Sequence, residues 1–288
     1  MAIAVTDVPR AVAAATSAAS ALGLTVDRAA ILHASNRLAL RLLPSDVVAR
    51  VALAEHGAAQ LEVDLALQLT GTDSPVGALD PRVPPGVYER DGFKITLWSY
   101  YAPQPSRELS PARYAEALAR LHLGMQQLDV ATPHFTDRVR EAEQLVGNPD
   151  LTPALGETDR ILLTSTFRTV TRAIGERRAA EQLLHGEPHP GNVLNTQDGP
   201  LFIDLETCCR GPVEFDLAHV PEEVSALYPD VDQELLRECR ILVLAMVAAW
   251  RLDPGDRLPS GRRAAQELLA ALRAGPPYPT LDGLTFLN

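Results

Sequence analysis

From residue 37 to residue 53 the apolar positions recur with a period of two. The runs RLALRLL and VVARVAL flank Pro44-Ser45-Asp46, which predicts strand, turn and strand. On either side the period lengthens to that of a helix. Residues 8–22 form an alanine-rich helical lead-in that ends at Gly23, and a second helix is expected over roughly 55–70, stopped near Gly71 and Pro75. Residues 76–92 are rich in proline and glycine, FKITLWSYY at 93–101 is strand-like again, and Pro103 and Pro105 then break the chain. Beyond them the pattern is helical. Ser110-Pro111 supplies an N-cap followed by proline at the first helical position, and Tyr114, Leu118, Leu121, Met125 and Leu128 share one face. Further helices are expected at 137–146, 159–179, 232–251 and 261–273, interrupted by a short β insert: Val193-Leu194, a turn at Asp198-Gly199, then Leu201–Glu206. The pattern predicts an α+β chain with a β-rich first lobe at 1–98, a connector at 99–105 and a larger helical lobe at 106–288.

Composition narrows the function more than the fold. The 288 residues carry a net charge of −11, which argues against a nucleic-acid partner, because phosphate-binding surfaces need clustered basic charge. The same balance is compatible with a cationic small substrate. Basic charge is almost all arginine, with Lys94 the single lysine. Cys208, Cys209 and Cys239 are odd in number and lack zinc spacing, so buried reduced thiols in a cytoplasmic protein are expected. The N-terminus carries Asp7, Pro9 and Arg10 without a basic start, unlike a signal peptide. The longest apolar run, Ile241–Trp250, is too short for a bilayer, which needs about 20 residues, and no membrane partner is expected.

The chemistry concentrates in LLHGEPHPGNVLNTQDGPLFIDLETCCRGPVEFDLA, residues 183–218. Glu187 lies between His185 and His189 in a loop tightened by Gly186, Pro188, Pro190 and Gly191. Asn192 closes that loop, and the second strand of the hairpin delivers Asp204. A loop carboxylate, an amide five residues on and a strand-end aspartate 12 residues beyond can converge on a metal-bound phosphate. Phosphoryl transfer needs oxygen ligands for magnesium and a carboxylate that orients the attacking hydroxyl. Two histidines and a glutamate also suggest zinc, but the motif is not HExxH and the prolines and glycines exclude a regular helix presenting them together.

At these residues the chain resembles the aminoglycoside phosphotransferase-like small-molecule kinases, relatives of protein kinases. HGEPHPGN resembles that family's catalytic loop, FIDLE its metal-binding strand and GPVEFDLA the segment after it. EALARLH (116–122) resembles the helix opening the C-terminal lobe, and SNRLALRL (35–42) the nucleotide-covering hairpin. The resemblance spans roughly residues 30–250 and implies a two-lobed protein-kinase-like fold. It implies ATP or GTP with Mg²⁺ as cofactors, and a small-molecule hydroxyl as acceptor, cationic antibiotics being the first guess. Position by position it implies Glu187 as base, His189 near the transferring phosphoryl group, Asn192 and Asp204 as magnesium ligands, and Asp216 as an anchor of the loop. It implies Arg50 as a phosphate contact with Glu62 as its partner, Ser35 and Asn36 as backbone phosphate donors, and a hinge over Trp98–Tyr101 that holds adenine near Ser99 and Tyr101.

Two departures bear on activity. The base position holds Glu187, one methylene longer than the family's aspartate, and no glycine lies between Gly23 and Gly57 to build a glycine-rich phosphate loop. They keep a second reading open, a nucleotide-binding scaffold that performs no transfer. A protein kinase is disfavoured, since no activation segment separates Asp204 from GPVEFDLA.

Overall fold

The computed structural model describes residues 3–34, 37–55, 57–104, 109–256 and 258–281. Two compact units form: Met1–Glu108 with Leu194–Thr207, and Leu109–Val193 with Cys208–Asn288. Sheet dominates the first and helix the second, the α+β class expected from the pattern.

The first unit is a five-stranded antiparallel sheet in the order β1-β2-β3-β5-β4, built from β1 (Val26–Ala34), β2 (Leu38–Pro44), β3 (Val47–Leu53), β4 (Tyr88–Arg90) and β5 (Phe93–Ser99). Alternation decides its faces. Leu38, Leu40, Leu42, Val47, Ala49, Val51, Ile95 and Leu97 are buried in one cluster with Ala11, Ala14, Ala15, Ala18 and Ala19 of helix α1 (Val8–Ala21). Alanine makes this face possible, because a methyl side chain lets helix and sheet approach closely at little entropic cost. The intervening residues of β3, Arg50 among them, point to the other face. Helix α2 (Ala59–Thr70) buries Glu62, Val63, Leu65, Ala66 and Leu69.

Strand β1 has no counterpart in the sequence expectation, which began at residue 37. It is an edge strand whose side chains are half-buried or exposed, so it carries no apolar alternation to read. The hairpin of β7 (Val193–Thr196) and β8 (Gly199–Phe202) was expected with the helical lobe, yet from Leu194 onward it groups with the sheet unit. Backbone pairing is the reason. Val76 bridges Phe202 in parallel, the Gly77 N–H donates to Phe202 O (2.9 Å) and the Phe202 N–H donates to Pro75 O (2.7 Å).

The second unit contains α3 (Pro111–Met125), α4 (Phe135–Gly147), α5 (Glu157–Arg177), the two-stranded pair β6 (Gln182–Leu184) and β9 (Cys209–Gly211), α6 (Val213–Leu217), α7 (Glu222–Ser225), α8 (Gln233–Trp250) and α9 (Gly261–Ala274). Helix α3 starts as expected, with Ser110 Oγ accepting from the Arg113 N–H at 3.4 Å and Pro111 in the first turn. The apolar run in α8 is buried from Leu242 to Ala245, and all three cysteines are buried free thiols. No described helix is long and apolar enough to cross a membrane.

Candidate active site

In the first unit, five charged side chains alternate in sign. Arg50 of β3 donates to Glu62 through Nη1 and to Asp204 Oδ1 through Nη2 at 2.6 Å. Arg37, at the entry to β2, donates from Nη1 to Glu62 Oε2 at 2.7 Å and pairs through Nη2 with Glu206. The Leu205 N–H also donates to Glu62 Oε1, at 3.2 Å. Glu62 is fully buried, and a buried carboxylate persists only when paired and hydrogen-bonded. Its place in the first turn of α2 adds the favourable end of the helix dipole. Burial pulls the Arg37 guanidinium below its ordinary range against the opposing pull of Glu62. Burial pulls on Arg50 too, but Glu62 and Asp204 outweigh it and hold Arg50 above the ordinary value. Asp204 sits at φ +70°, a left-handed conformation that aspartate tolerates better than most side chains.

Arg50 and Glu62, picked from a strand pattern and a spacing of 12, are brought together here with Asp204. Arg37 and Glu206 were not assigned roles from the sequence, although both lie inside the quoted motifs. Ser35 and Asn36 lie outside the described residues. At the expected hinge, the Ser99 N–H is committed to Ala78 O (2.9 Å) and Ser99 Oγ lies 3.5 Å from Leu79 O. Tyr101 uses its hydroxyl to accept from the Ala78 N–H at 3.1 Å. The Ser99 N–H is therefore spent on the strap at 76–80 and is not available as a donor to a base. Gly77 allows that strap to lie close, since a Cβ there would sit 3.2 Å from the Ile203 side chain.

In the second unit, Asp216 of α6 organises the HGEPHPGN loop. Its Oδ2 accepts from the His185 N–H at 2.9 Å and its Oδ1 from the Gly186 N–H at 2.8 Å. Gly186 has φ +90°, a turn that glycine takes without penalty. His122 Nε2 lies 2.9 Å from Asp216 Oδ2, and its Nδ1 lies 2.7 Å from the Tyr228 hydroxyl. Burial pushes the Asp216 carboxyl up, but the His122 bond and the neighbouring histidines bring it below the ordinary value. Tyr114 closes the loop by donating its hydroxyl to Pro188 O.

Glu187 projects from this loop into an ion pair with Arg138 of α4, a partner 49 residues away that no motif marks. Arg138 Nη1 also donates to Gly186 O at 3.2 Å, and the guanidinium stands 4.8 Å from the centroid of the Trp250 ring. Burial raises the Glu187 carboxyl, yet Arg138 first and His219 next hold it down at about 2. Asn192 donates its Nδ2 to Glu187 O at 3.0 Å, which turns its Oδ1 the other way. His189 Nδ1 accepts from the Gly191 N–H at 3.0 Å and so caps the turn Pro190–Asn192. Glu187, His189 and Asn192 thus share one loop in this unit, while Arg50, Glu62 and Asp204 share the other. Asp204 in the first unit and Asn192 Oδ1 in the second each offer an oxygen donor, the ligand type that magnesium prefers.

Residues 28–240 match the family model described as "Phosphotransferase enzyme family". The chain belongs to that family. No curated protein matches the chain significantly. Solved structures of similar fold include an amicoumacin kinase in complex with AMP-PNP, Ca²⁺ and Ami, at 10% identity and TM-score 0.68, covering 90% of this chain and 92% of that one. The GDP complex of aminoglycoside 2'-phosphotransferase-IIIa has 17% identity and TM-score 0.68, with 90% and 97% covered. A choline kinase from Streptococcus pneumoniae has 15% identity and TM-score 0.63, with 90% and 98% covered. At such identities the likeness establishes the fold. The family match makes this phosphotransferase a small-molecule enzyme acting on an alcohol group.

Proposed function

We propose that this phosphotransferase moves the γ-phosphoryl group of ATP or GTP, with magnesium, onto a hydroxyl of a small molecule. The observation that carries the reading is the shared guanidinium of Arg50, which binds Glu62 and the partly exposed Asp204 together. A cation held between two carboxylates can turn to phosphate without being left unpaired, and arginine clamps phosphate bidentately. Nucleotide handling falls to residues 1–98 with the hairpin, the connector to 99–105, and the acceptor to the helical part within 106–288. The nucleotide complexes among structures of similar fold support the donor class.

In the reaction the acceptor oxygen bonds to the γ-phosphorus while the bond to the β–γ bridging oxygen breaks. The bonding pair leaves on the nucleoside diphosphate, and the hydroxyl proton passes to Glu187 and then to solvent. Asp204 and Asn192 would hold magnesium, which when bound neutralises phosphate charge. A carboxylate held at about 2 is a weak proton acceptor, so Glu187 acts chiefly by orienting the hydroxyl. That suits a loose transition state in which the proton moves late. His189 supports the turn that carries Asn192, with a phosphoryl contact as its second role. The net charge of −11 favours cationic acceptors, with aminoglycoside antibiotics the first to try, the cytoplasm as the compartment and antibiotic resistance as the cellular readout.

The pairing of Glu187 with Arg138 favours one competitor, a nucleotide-binding scaffold without transfer. Calorimetry with ATP and GTP, with and without magnesium, tests the reading. Micromolar binding that strengthens with magnesium is expected; folded protein that binds neither nucleotide in either condition sinks it. Binding without nucleoside diphosphate release across a panel of hydroxylated acceptors selects the scaffold.

A further inference from the structure

The Arg138–Glu187 pair has a geometry that a surface ion pair lacks. One guanidinium reaches two successive residues of the loop, the Glu187 carboxylate through Nη2 and Gly186 O through Nη1 at 3.2 Å. Its face is backed by the Trp250 ring of α8 at 4.8 Å, and the Arg138 side chain is only 14% exposed. A glutamate turns about three side-chain bonds, so its carboxylate samples a wide arc unless something fixes it. An arginine fork bound at once to the carboxylate and to the preceding carbonyl fixes both the end of the side chain and its root. Aromatic backing keeps the fork itself from swinging. On the other side of the residue, Asn192 Nδ2 pins Glu187 O at 3.0 Å and Asp216 holds the amides of His185 and Gly186. The backbone of Glu187 is thus set by Asn192 and Asp216, and among the described contacts its carboxylate is set by Arg138.

We propose that Arg138 is a positioning residue for the transfer reaction, holding the Glu187 carboxylate in the one rotamer from which it can orient an acceptor. This rests on the reading that Glu187 orients the acceptor hydroxyl. Arg138 acts through Glu187 and contacts no reacting atom. Two consequences separate this from a merely structural role. Loss of Arg138 should lower kcat and leave the KM for nucleotide unchanged, since nothing in nucleotide binding is removed. The effect should also vanish once Glu187 can no longer act.

The test uses the full chain and MgATP, with water as acceptor and hydrolysis as the readout, so that no substrate need be known. Arg138→Ala, Arg138→Lys, Glu187→Gln and the Arg138→Ala/Glu187→Gln pair are compared with wild type. Misplacing a reacting group by about 1 Å costs on the order of 10²-fold, so Arg138→Ala should lose about that factor in kcat. Methylguanidine added to Arg138→Ala should restore part of the rate, and the double variant should be no slower than Glu187→Gln alone. Arg138→Lys keeps the charge and loses the fork; should Arg138→Ala fail to fold, it carries the test with a smaller loss in kcat at unchanged KM. Arg138 variants that turn over like wild type while Glu187→Gln is impaired overturn the proposal, as do losses that simply multiply in the double variant. Glu187→Gln that turns over like wild type, or a wild type that hydrolyses no MgATP, removes the underlying reading and the proposal with it.

Discussion

Glu62 and Asp216 are both completely buried carboxylates, and the protein neutralises them by different means. Around Glu62 the compensating charge comes from Arg37 and Arg50, with the Leu205 N–H beside them. Around Asp216 it comes from the amides of His185 and Gly186 and from the His122 ring, itself backed by Tyr228. Guanidinium groups ride on flexible stems and can be shared with a new anion, as Arg50 is already shared with Asp204. Backbone amides cannot swing away without unmaking the loop. One carboxylate therefore sits in a charge array that can rearrange around an incoming phosphate, whereas the other is a fixed anchor of chain geometry.

Breaking the anchor should have the largest effect. Asp216→Ala leaves two buried N–H groups and a buried imidazole without their acceptor, which should destabilise by about 3–5 kcal/mol. Urea unfolding measures it, and a loss below about 1 kcal/mol would show that the loop holds itself together without the carboxylate. Next comes Asp204→Ala. Asp204 is partly exposed, so folding should survive, whereas turnover should fall by at least about 10²-fold as the metal ligand is lost. Steady-state transfer against a thermal melt separates the two effects, and full turnover would place the metal elsewhere.

Arg50 and Glu62 sharpen the contrast. Spacing alone suggests that Glu62→Ala would be a weaker version of Arg50→Ala, both raising the KM for nucleotide. The structure reverses that order for stability. Removing Glu62 takes the buried carboxylate from two arginines at once, leaving Arg37 with Glu206 alone and Arg50 with Asp204 alone, whereas removing Arg50 leaves Glu62 paired with Arg37. Glu62→Ala should cost about 3 kcal/mol or more in unfolding free energy, and Arg50→Ala mainly about tenfold in the KM for ATP. Equal melting temperatures for the two variants would argue against the shared array.

Legibility followed locality. The strand–turn–strand of β2 and β3, the α3 start at Ser110-Pro111 and the anchoring role of Asp216 could be read because each depends on neighbouring residues or on a dense motif. Arg138 could not, because its link to Glu187 is made by the packing of α4 beside the loop, 49 residues away, and an arginine on an amphipathic helix looks like any solvated one. Arg37 stood inside SNRLALRL but its neighbours drew attention to backbone amides, and only the fold reveals a buried guanidinium there. Strand β1 was missed because an exposed edge strand carries no alternation. The strap at 76–80, which takes up the Ser99 N–H, could not be read either, because its proline- and glycine-rich sequence gives no sign that it pairs with β5 and β8.

The smallest expected effect is a pH dependence of stability from His219. Burial holds its ring down at about 4 from an ordinary 6.5, and its Nε2 finds no hydrogen-bond partner among the described residues. Between those values the unfolded chain binds the proton and the folded one does not, so stability is fully present above pH 6.5 and declines as pH falls towards 4. The loss should reach roughly 1 kcal/mol by pH 5.5. Glu187, held from 4.5 down to about 2, adds its own loss only as pH falls below 4.5 towards 2. Melting temperature against pH checks both, and His219→Gln should flatten the upper window; an unchanged slope there in that variant would assign the window to another group.

The most direct measurement of the proposed chemistry is mass spectrometry of hydroxylated acceptors incubated with the full chain and MgATP or MgGTP. Wild type and Asp204→Ala are run side by side. The expected result is one acceptor class that gains HPO₃, one nucleoside diphosphate for each product, with Asp204→Ala giving neither. A folded wild type that binds nucleotide yet modifies no acceptor from either donor would contradict phosphoryl transfer, and equal product from Asp204→Ala would contradict the site.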